Sequence, residues 1–236
     1  MLSCYTLDMK NKSKRNFAVR FFVLLGVAVI ILAAALVLCH IGGLGAKPQL
    51  NISCGVVIDA GHGGADPGAI STISGAHEDD MNLRVAEALE TELESRGILV
   101  FMTRSDGEAV GATKQDDMAF RREFTNSSGA AAFVSIHMNS FPDNPSVWGP
   151  QVFYDENSAS SRAFAAIIQD KLNALTGGAR QISADDLYVL REAPMPAVLI
   201  ECGFITNADE EALLHDEEYI QSFVCAVADA LEAFFG

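Results

Sequence analysis

Apolar positions recur in three patterns along the chain. The first is an unbroken run from Phe21 to Cys39, 19 residues with no charged or strongly polar side chain. The second is a set of short runs rich in Val, Ile and Phe, among them Val56-Val57-Ile58, Phe133-Val134-Ser135-Ile136 and Val198-Leu199-Ile200. Such runs read as buried strands of a parallel sheet. The third is helical spacing, as at Leu83, Ala86, Leu89 and Leu93, ahead of a helix-stopping Gly97. The last two patterns alternate from Val56 to the C-terminus. They predict an α/β fold: a single domain with a mostly parallel central sheet flanked by helices. Strands are expected over 55–59, 98–103, 132–136, 151–154, 187–190 and 197–201, and helices over 79–95, 116–126, 160–175, 209–215 and 218–234.

The long apolar run has a different destination. As a helix it spans roughly 28 Å, about the thickness of a bilayer's hydrocarbon core. Lys10, Lys12, Lys14, Arg15 and Arg20 precede it, opposed by Asp8 alone. The positive-inside rule then keeps the N-terminus in the cytoplasm and exports the chain beyond Ile41. A cleaved signal would have a shorter apolar core and a small-x-small site, whereas Leu44 occupies the first small position of Leu44-Gly45-Ala46. A lipoprotein signal would need a small residue before Cys39, where Leu38 stands. The expected organisation is a basic cytoplasmic tail (1–20), one transmembrane anchor (21–41), a linker (42–53) and a catalytic domain (54–236) on the extracytoplasmic, cell-wall side.

Charge divides along the same boundary. The formal net charge is −15, yet the first 41 residues are basic, so the remainder holds 11 basic against 30 acidic side chains. That balance argues against nucleic acid or an anionic membrane surface as a partner of the exported part; membrane contact is expected only through the N-terminal helix. Cys54, Cys202 and Cys225 are an odd number with neither disulfide-framework nor C-x-x-C spacing. Strand alternation turns Cys202 away from its neighbour Glu201, so Cys202 is expected in the core.

The predicted strands end in chemistry. Val56-Val57-Ile58 leads into Asp59-Ala60-Gly61-His62-Gly63-Gly64, the third predicted strand into His137, and the last into Glu201. Ligands of open α/β sheets bind outside the carboxyl ends of the strands, so these distant residues would meet at one edge. Zinc hydrolases commonly use three His or Glu ligands and leave a fourth position for water, whose pKa the metal lowers to about 7. A non-ligand carboxylate then serves as general base. His62 and His137 fit as ligands and Glu201 as the base; burying that carboxylate without a partner would cost several kcal/mol. For a third ligand both His77 and Glu78 stand at the start of the first helix, where a Glu is also favoured simply by the helix dipole. Taken singly, a His at a strand end is more often a hydrogen-bonded structural residue. Gly61-His62-Gly63-Gly64 also fits a plain turn or an anion-binding loop, although no phosphate-loop Lys or Ser/Thr completes it.

Four ordered motifs resemble the type-3 family of zinc-dependent N-acetylmuramoyl-L-alanine amidases: the stretch from Asp59 to Gly68, Glu78-Asp79-Asp80-Met81-Asn82-Leu83, Ser135-Ile136-His137-Met138-Asn139-Ser140, and the stretch from Pro196 to Asn207. The resemblance runs from about Val56 to the C-terminus. It implies Zn2+ held by His62, Glu78 and His137, and Glu201 as catalytic acid/base. The implied substrate is peptidoglycan, cut at the amide between N-acetylmuramic acid and the L-alanine of the stem peptide. Arg104 and Arg191 fall in family-like contexts, as substrate contacts or as salt bridges. Two departures stand out. Asp79 replaces a Lys frequent in the family, and the 13 residues between His137 and Gln151 leave no room for the plug helix of some relatives, so an open site is expected. Length, a single anchor and Trp148-Gly149-Pro150-Gln151-Val152-Phe153-Tyr154 look like the germination-specific amidases that act on the spore cortex, where stem removal precedes muramic δ-lactam formation. A stem-cleaving zinc peptidase or carboxypeptidase, or an inactive wall-binding module, are the competing readings; the second would have been favoured by loss of any of the four site residues.

Overall fold

The computed structural model describes residues 55–191 and 193–236. The expected cytoplasmic tail, transmembrane anchor and linker lie outside the described residues, and among those described no helix is long and apolar enough to cross a membrane. The described chain runs β1 (Val56–Ala60), α1 (Glu78–Ser95), β2 (Val100–Met102), α2 (Lys114–Ser127), β3 (Ala132–Asn139), β4 (Gln151–Tyr154), α3 (Ala159–Thr176), β5 (Ser183–Ala184), β6 (Ala197–Phe204), α4 (Ala208–Leu214) and α5 (Glu217–Phe235). One six-stranded sheet has the order β2-β1-β3-β6-β4-β5. Strands β2, β1, β3 and β6 run parallel, while β4 pairs antiparallel with β6 and parallel with β5. The sheet is therefore mixed, with its parallel part holding the three strands expected to carry chemistry.

Helix boundaries follow local chemistry. Thr113, Ser158, Asn207 and Asp216 each accept a backbone N–H with the side chain at the start of α2, α3, α4 and α5, satisfying donors that the first helical turn leaves unpaired. Gly177 closes α3 in the left-handed conformation, φ 71°, which glycine adopts without steric cost.

Alternation along the strands divides the interior in two. Val56, Ile58 and Ala60 of β1, Val134, Ile136 and Met138 of β3, and Val198, Ile200 and Cys202 of β6 face a large core built with α1, α3 and α5. Val57, Phe133, Ala197 and Leu199 face a smaller cluster completed by Met118 and Phe124 of α2 and by Val189, Leu190 and Met195. Each fully buried Val, Ile, Leu or Phe contributes about 1.5–3 kcal/mol, so the sheet is a rigid platform for its edge. Cys202 takes the core position expected of it, opposite in facing to Glu201.

The strand expected over 187–190 is not formed. Leu187 to Arg191 is a turn, with Leu190 N–H donating to Leu187 O at 3.0 Å, and the edge strand is Ser183–Ala184 instead. The apolar run is real, but it serves to cap the smaller cluster from outside the sheet. Likewise Ile98 belongs to the turn that closes α1, its N–H donating to Leu93 O at 3.0 Å, and β2 begins only at Val100.

Candidate active site

The loop after β1 is held in an unusual backbone shape. His62 has φ 62°, the one non-glycine residue with positive φ among those described, followed by Gly63 at 134° and Gly64 at 59°. A left-handed residue that is not glycine costs about 1–3 kcal/mol and persists only when its surroundings over-determine it. Two buried guanidiniums do so here. Arg121 of α2 donates to Ala60 O at 2.7 Å and His62 O at 2.6 Å. Arg104, just beyond β2, donates to Ala60 O at 2.8 Å, Gly61 O at 3.0 Å and, across the loop, to Asp79 O at 2.7 Å.

Beneath the loop lies a buried ion pair. Asp59 of β1 accepts from Arg121 at 2.6 Å, Thr103 Oγ1 at 2.7 Å and Ser135 Oγ at 2.7 Å. Burial by itself would raise the Asp59 pKa; the Arg121 charge and the two hydroxyls outweigh it and hold the carboxyl below its ordinary value. Asp117 completes the pair from within α2, taking Arg121 Nε at 2.6 Å. Neither Arg121 nor Asp117 belongs to one of the four sequence motifs. Their spacing, a carboxylate four residues before an arginine on one helix, is the signal that the sequence offers, but it reads equally well as a solvated surface pair.

Glu78, the first residue of α1, reaches back to the strand ends. Its Oε1 lies 3.2 Å from His62 Nε2 and 3.0 Å from His137 Nδ1, and the two imidazoles stand edge to face with centroids 4.9 Å apart. The Met138 N–H donates to the same oxygen at 3.1 Å and the Ala69 N–H to Oε2 at 2.8 Å. Burial pushes the Glu78 pKa up, yet the hydrogen bonds and charges of His137 and His62 hold it well below the carboxylate range. Burial pushes His62 the other way, and its contacts with Glu78 and Asp66 overcome that to raise its pKa. One ligand atom from each of His62, Glu78 and His137 falls within 4.8 Å of the other two. Of the two residues open as a third ligand, Glu78 joins the histidines; His77 is exposed and lies 3.8 Å from Asp79 Oδ1.

Glycine makes this proximity possible. A Cβ on Gly61 would collide with the His137 imidazole, and one on Gly68 would come within 2.5 Å of Glu78 Oε2. Any larger residue at either place would push a side chain out of the cluster. Asn82, one turn along α1, donates to Gly61 O at 3.1 Å and to Glu78 Oε1 at 3.4 Å, tying helix, loop and carboxylate together.

Glu201 is the register partner of His137 across the β3–β6 ladder, so both side chains leave the same face of the sheet. Its Oε2 is buried and accepts no hydrogen bond, and burial pushes its pKa up to about 7. A cleft of about 570 Å³ opens over His62 and His137, walled by Asp66, Lys114, Met118 and the Leu187–Val189 turn. No helix lies between β3 and β4. The two arginines left open as substrate contacts or salt bridges separate: Arg104 is buried and spent on backbone carbonyls, whereas Arg191 is exposed and pairs with Asp186 at 2.8 Å.

Likeness to known proteins agrees with this geometry. Residues 56–233 match the family described as N-acetylmuramoyl-L-alanine amidase. The protein YqiI of Bacillus subtilis is 34% identical over 183 residues, covering 76% of this chain and 84% of its own. The probable cell wall amidase LytH of Staphylococcus aureus is 33% identical over the same length, and the chain spans only 58% of it. Among solved structures, the CwlD amidase of Clostridioides difficile, determined with the GerS lipoprotein, superposes with a TM-score of 0.72 at 32% identity over 76% of this chain and 96% of that one. With its fold, its motifs and its strand-end cluster in agreement, the chain belongs to the N-acetylmuramoyl-L-alanine amidase family, hydrolases of the bond between muramic acid and the peptide stem of peptidoglycan.

Proposed function

We propose that this amidase works as a zinc hydrolase, with the ion held by His62, Glu78 and His137 and with Glu201 as acid/base. The buried, unpartnered Oε2 of Glu201 beside His137 carries the reading. A buried carboxylate oxygen without a hydrogen-bond donor is costly, and a water delivered to the neighbouring cluster supplies that donor. The donor set of two imidazoles and one carboxylate is that of catalytic zinc sites. When bound, zinc supplies Lewis-acid polarisation of the scissile carbonyl and a more acidic water. Glu201 takes the proton from the attacking water and passes it to the departing alanine nitrogen, for which a raised pKa suits it. Arg104, Arg121 and Asn82 hold the His62 loop and Glu78 in place during turnover.

The N-terminal apolar run serves in this reading as a membrane anchor that places the 54–236 domain on the cell-wall side. Support comes from its length and its basic flank. A role on the spore cortex draws on the likeness of residues 148–154 to germination-specific amidases and on the similarity to CwlD, and the lipoprotein found with CwlD makes a lipoprotein the class of partner to seek.

The test is digestion of purified peptidoglycan by the purified chain, with and without a chelator, with products identified by mass spectrometry. Free stem peptides beginning with L-alanine, abolished by chelation and restored by zinc, are expected. Shortened stems still attached to muramic acid would turn the reading to a peptidase.

A further inference from the structure

On His62 the ring nitrogen turned away from Glu78 is also engaged. Its Nδ1 lies 3.2 Å from Asp66 Oδ2, and the same oxygen takes Lys114 Nζ at 3.0 Å. Asp66 Oδ1 accepts the Gly68 N–H at 3.4 Å. Asp66 comes from the loop after β1 and Lys114 from the first residue of α2, so the chain joins two distant segments to address one nitrogen. From this geometry we infer that Asp66 and Lys114 are positioning residues for the metal site. Asp66 fixes the His62 tautomer with the proton on Nδ1 and the lone pair on Nε2, directed toward Glu78, and Lys114 fixes Asp66. The inference rests on the proposed metal reading of His62.

A bland account would make Asp66 a turn residue and Lys114 its surface ion pair. Two observations separate the roles. The turn closes through backbone alone: Gly63 N–H donates to Asp66 O at 3.0 Å and Asp66 N–H to Gly63 O at 3.1 Å, while Arg121 holds His62 O independently. Removing the Asp66 carboxylate therefore leaves the turn in place. Lys114 is 74% exposed, and an exposed ion pair adds at most a small increment of stability. Orientation is what remains for the pair to supply. A metal-ligating histidine almost always gives its second N–H to a carboxylate, a carbonyl or water, and loss of that partner weakens metal binding by about 10–100-fold.

The experiment is zinc affinity of the full-length chain by chelator competition, with no substrate present, alongside thermal melts. Asp66→Ala is expected to weaken zinc by about 10–100-fold and Asp66→Asn by less, since its amide oxygen still accepts from Nδ1. Lys114→Met is expected to weaken zinc severalfold, with Lys114→Arg close to the parent. Combining Lys114→Met with Asp66→Ala should add nothing to Asp66→Ala alone, because lysine acts only through the carboxylate. Parental affinity in Asp66→Ala, while His62→Ala loses zinc, would overturn the positioning role and leave the metal site standing. Equal losses from Lys114→Met with and without Asp66 would overturn the relay. Parental affinity in His62→Ala would remove the metal reading itself. If Asp66→Ala melts too early to titrate, Lys114→Met against Lys114→Arg decides the question at an exposed position.

Discussion

His137 and Glu201 face one another as direct register partners on adjacent parallel strands. That pairing brings a proposed metal ligand and a proposed base to one face of the sheet from positions 64 residues apart in sequence. A one-residue slip of β6 would instead present Cys202 there and bury Glu201 in the main core, since side-chain direction alternates along a strand. The hydrophobic alternation of β6 thus fixes the proposed catalytic arrangement along with the fold.

If Glu201 shuttles the proton and does not bind zinc, Glu201→Gln should keep zinc stoichiometry while lowering turnover by about 10²–10⁴-fold. Inductively coupled plasma measurement of zinc and product release from peptidoglycan check the two halves. Full activity in this variant would remove Glu201 from the mechanism, and loss of zinc would make it a ligand.

Zinc should depend strongly on each histidine. His62→Ala and His137→Ala are each expected to lower zinc content in dialysed protein, with activity falling in parallel. Unchanged zinc in either variant would refute that ligand.

Much of this site was legible in the sequence because its residues end hydrophobic runs. His62 lies just beyond β1, while His137 and Glu201 follow apolar runs inside β3 and β6; the apolar character of all three runs comes from burial on both faces, and Glu78 begins a helix with a regular apolar stripe. The Asp59–Arg121–Asp117 network was not legible. Arg121 sits in a helix whose neighbours Arg122 and Glu123 are charged, and nothing in the spacing says that one of them turns inward. The apolar turn Leu187 to Leu190 misled for the opposite reason, being buried like a strand but pressed onto the sheet from outside. Burial governs composition; which surface does the burying is set by tertiary packing.

Arg121 also makes a stability prediction. With both side chains of the Asp59–Arg121 pair essentially inaccessible to solvent, removing the guanidinium leaves an uncompensated buried carboxylate, at a cost of about 3–5 kcal/mol. Arg121→Ala should therefore lower the unfolding midpoint in urea clearly. Arg121→Lys should recover little, since one ammonium cannot reach Asp59, Asp117 and the carbonyls of Ala60 and His62 together. A midpoint within error of the parent would show that the loop is held by Arg104 alone.

The pH dependence of metal-free protein separates the two carboxylates by sign. Asp59 has a folded pKa below its unfolded value. Its contribution is complete above the unfolded pKa and is lost as pH falls through the folded one, so it appears as acid destabilisation below about pH 4. Glu201 is shifted the other way, to about 7 from 4.5. Below pH 4.5 it is protonated in both states and costs nothing. Between 4.5 and 7 the unfolded chain ionises while the folded site resists, so stability declines with rising pH and the penalty is complete above pH 7. Glu201→Gln abolishes that titration. In chelator, the variant should melt near the parent at pH 4.5 and above it at pH 8, a gap that opens across the interval in between. Bound zinc should shrink the gap, because a nearby cation favours the ionised carboxylate. Melting curves that stay parallel from pH 4.5 to 8 would mean that Glu201 is ionised throughout, and would take away the raised basicity on which its role as proton carrier depends.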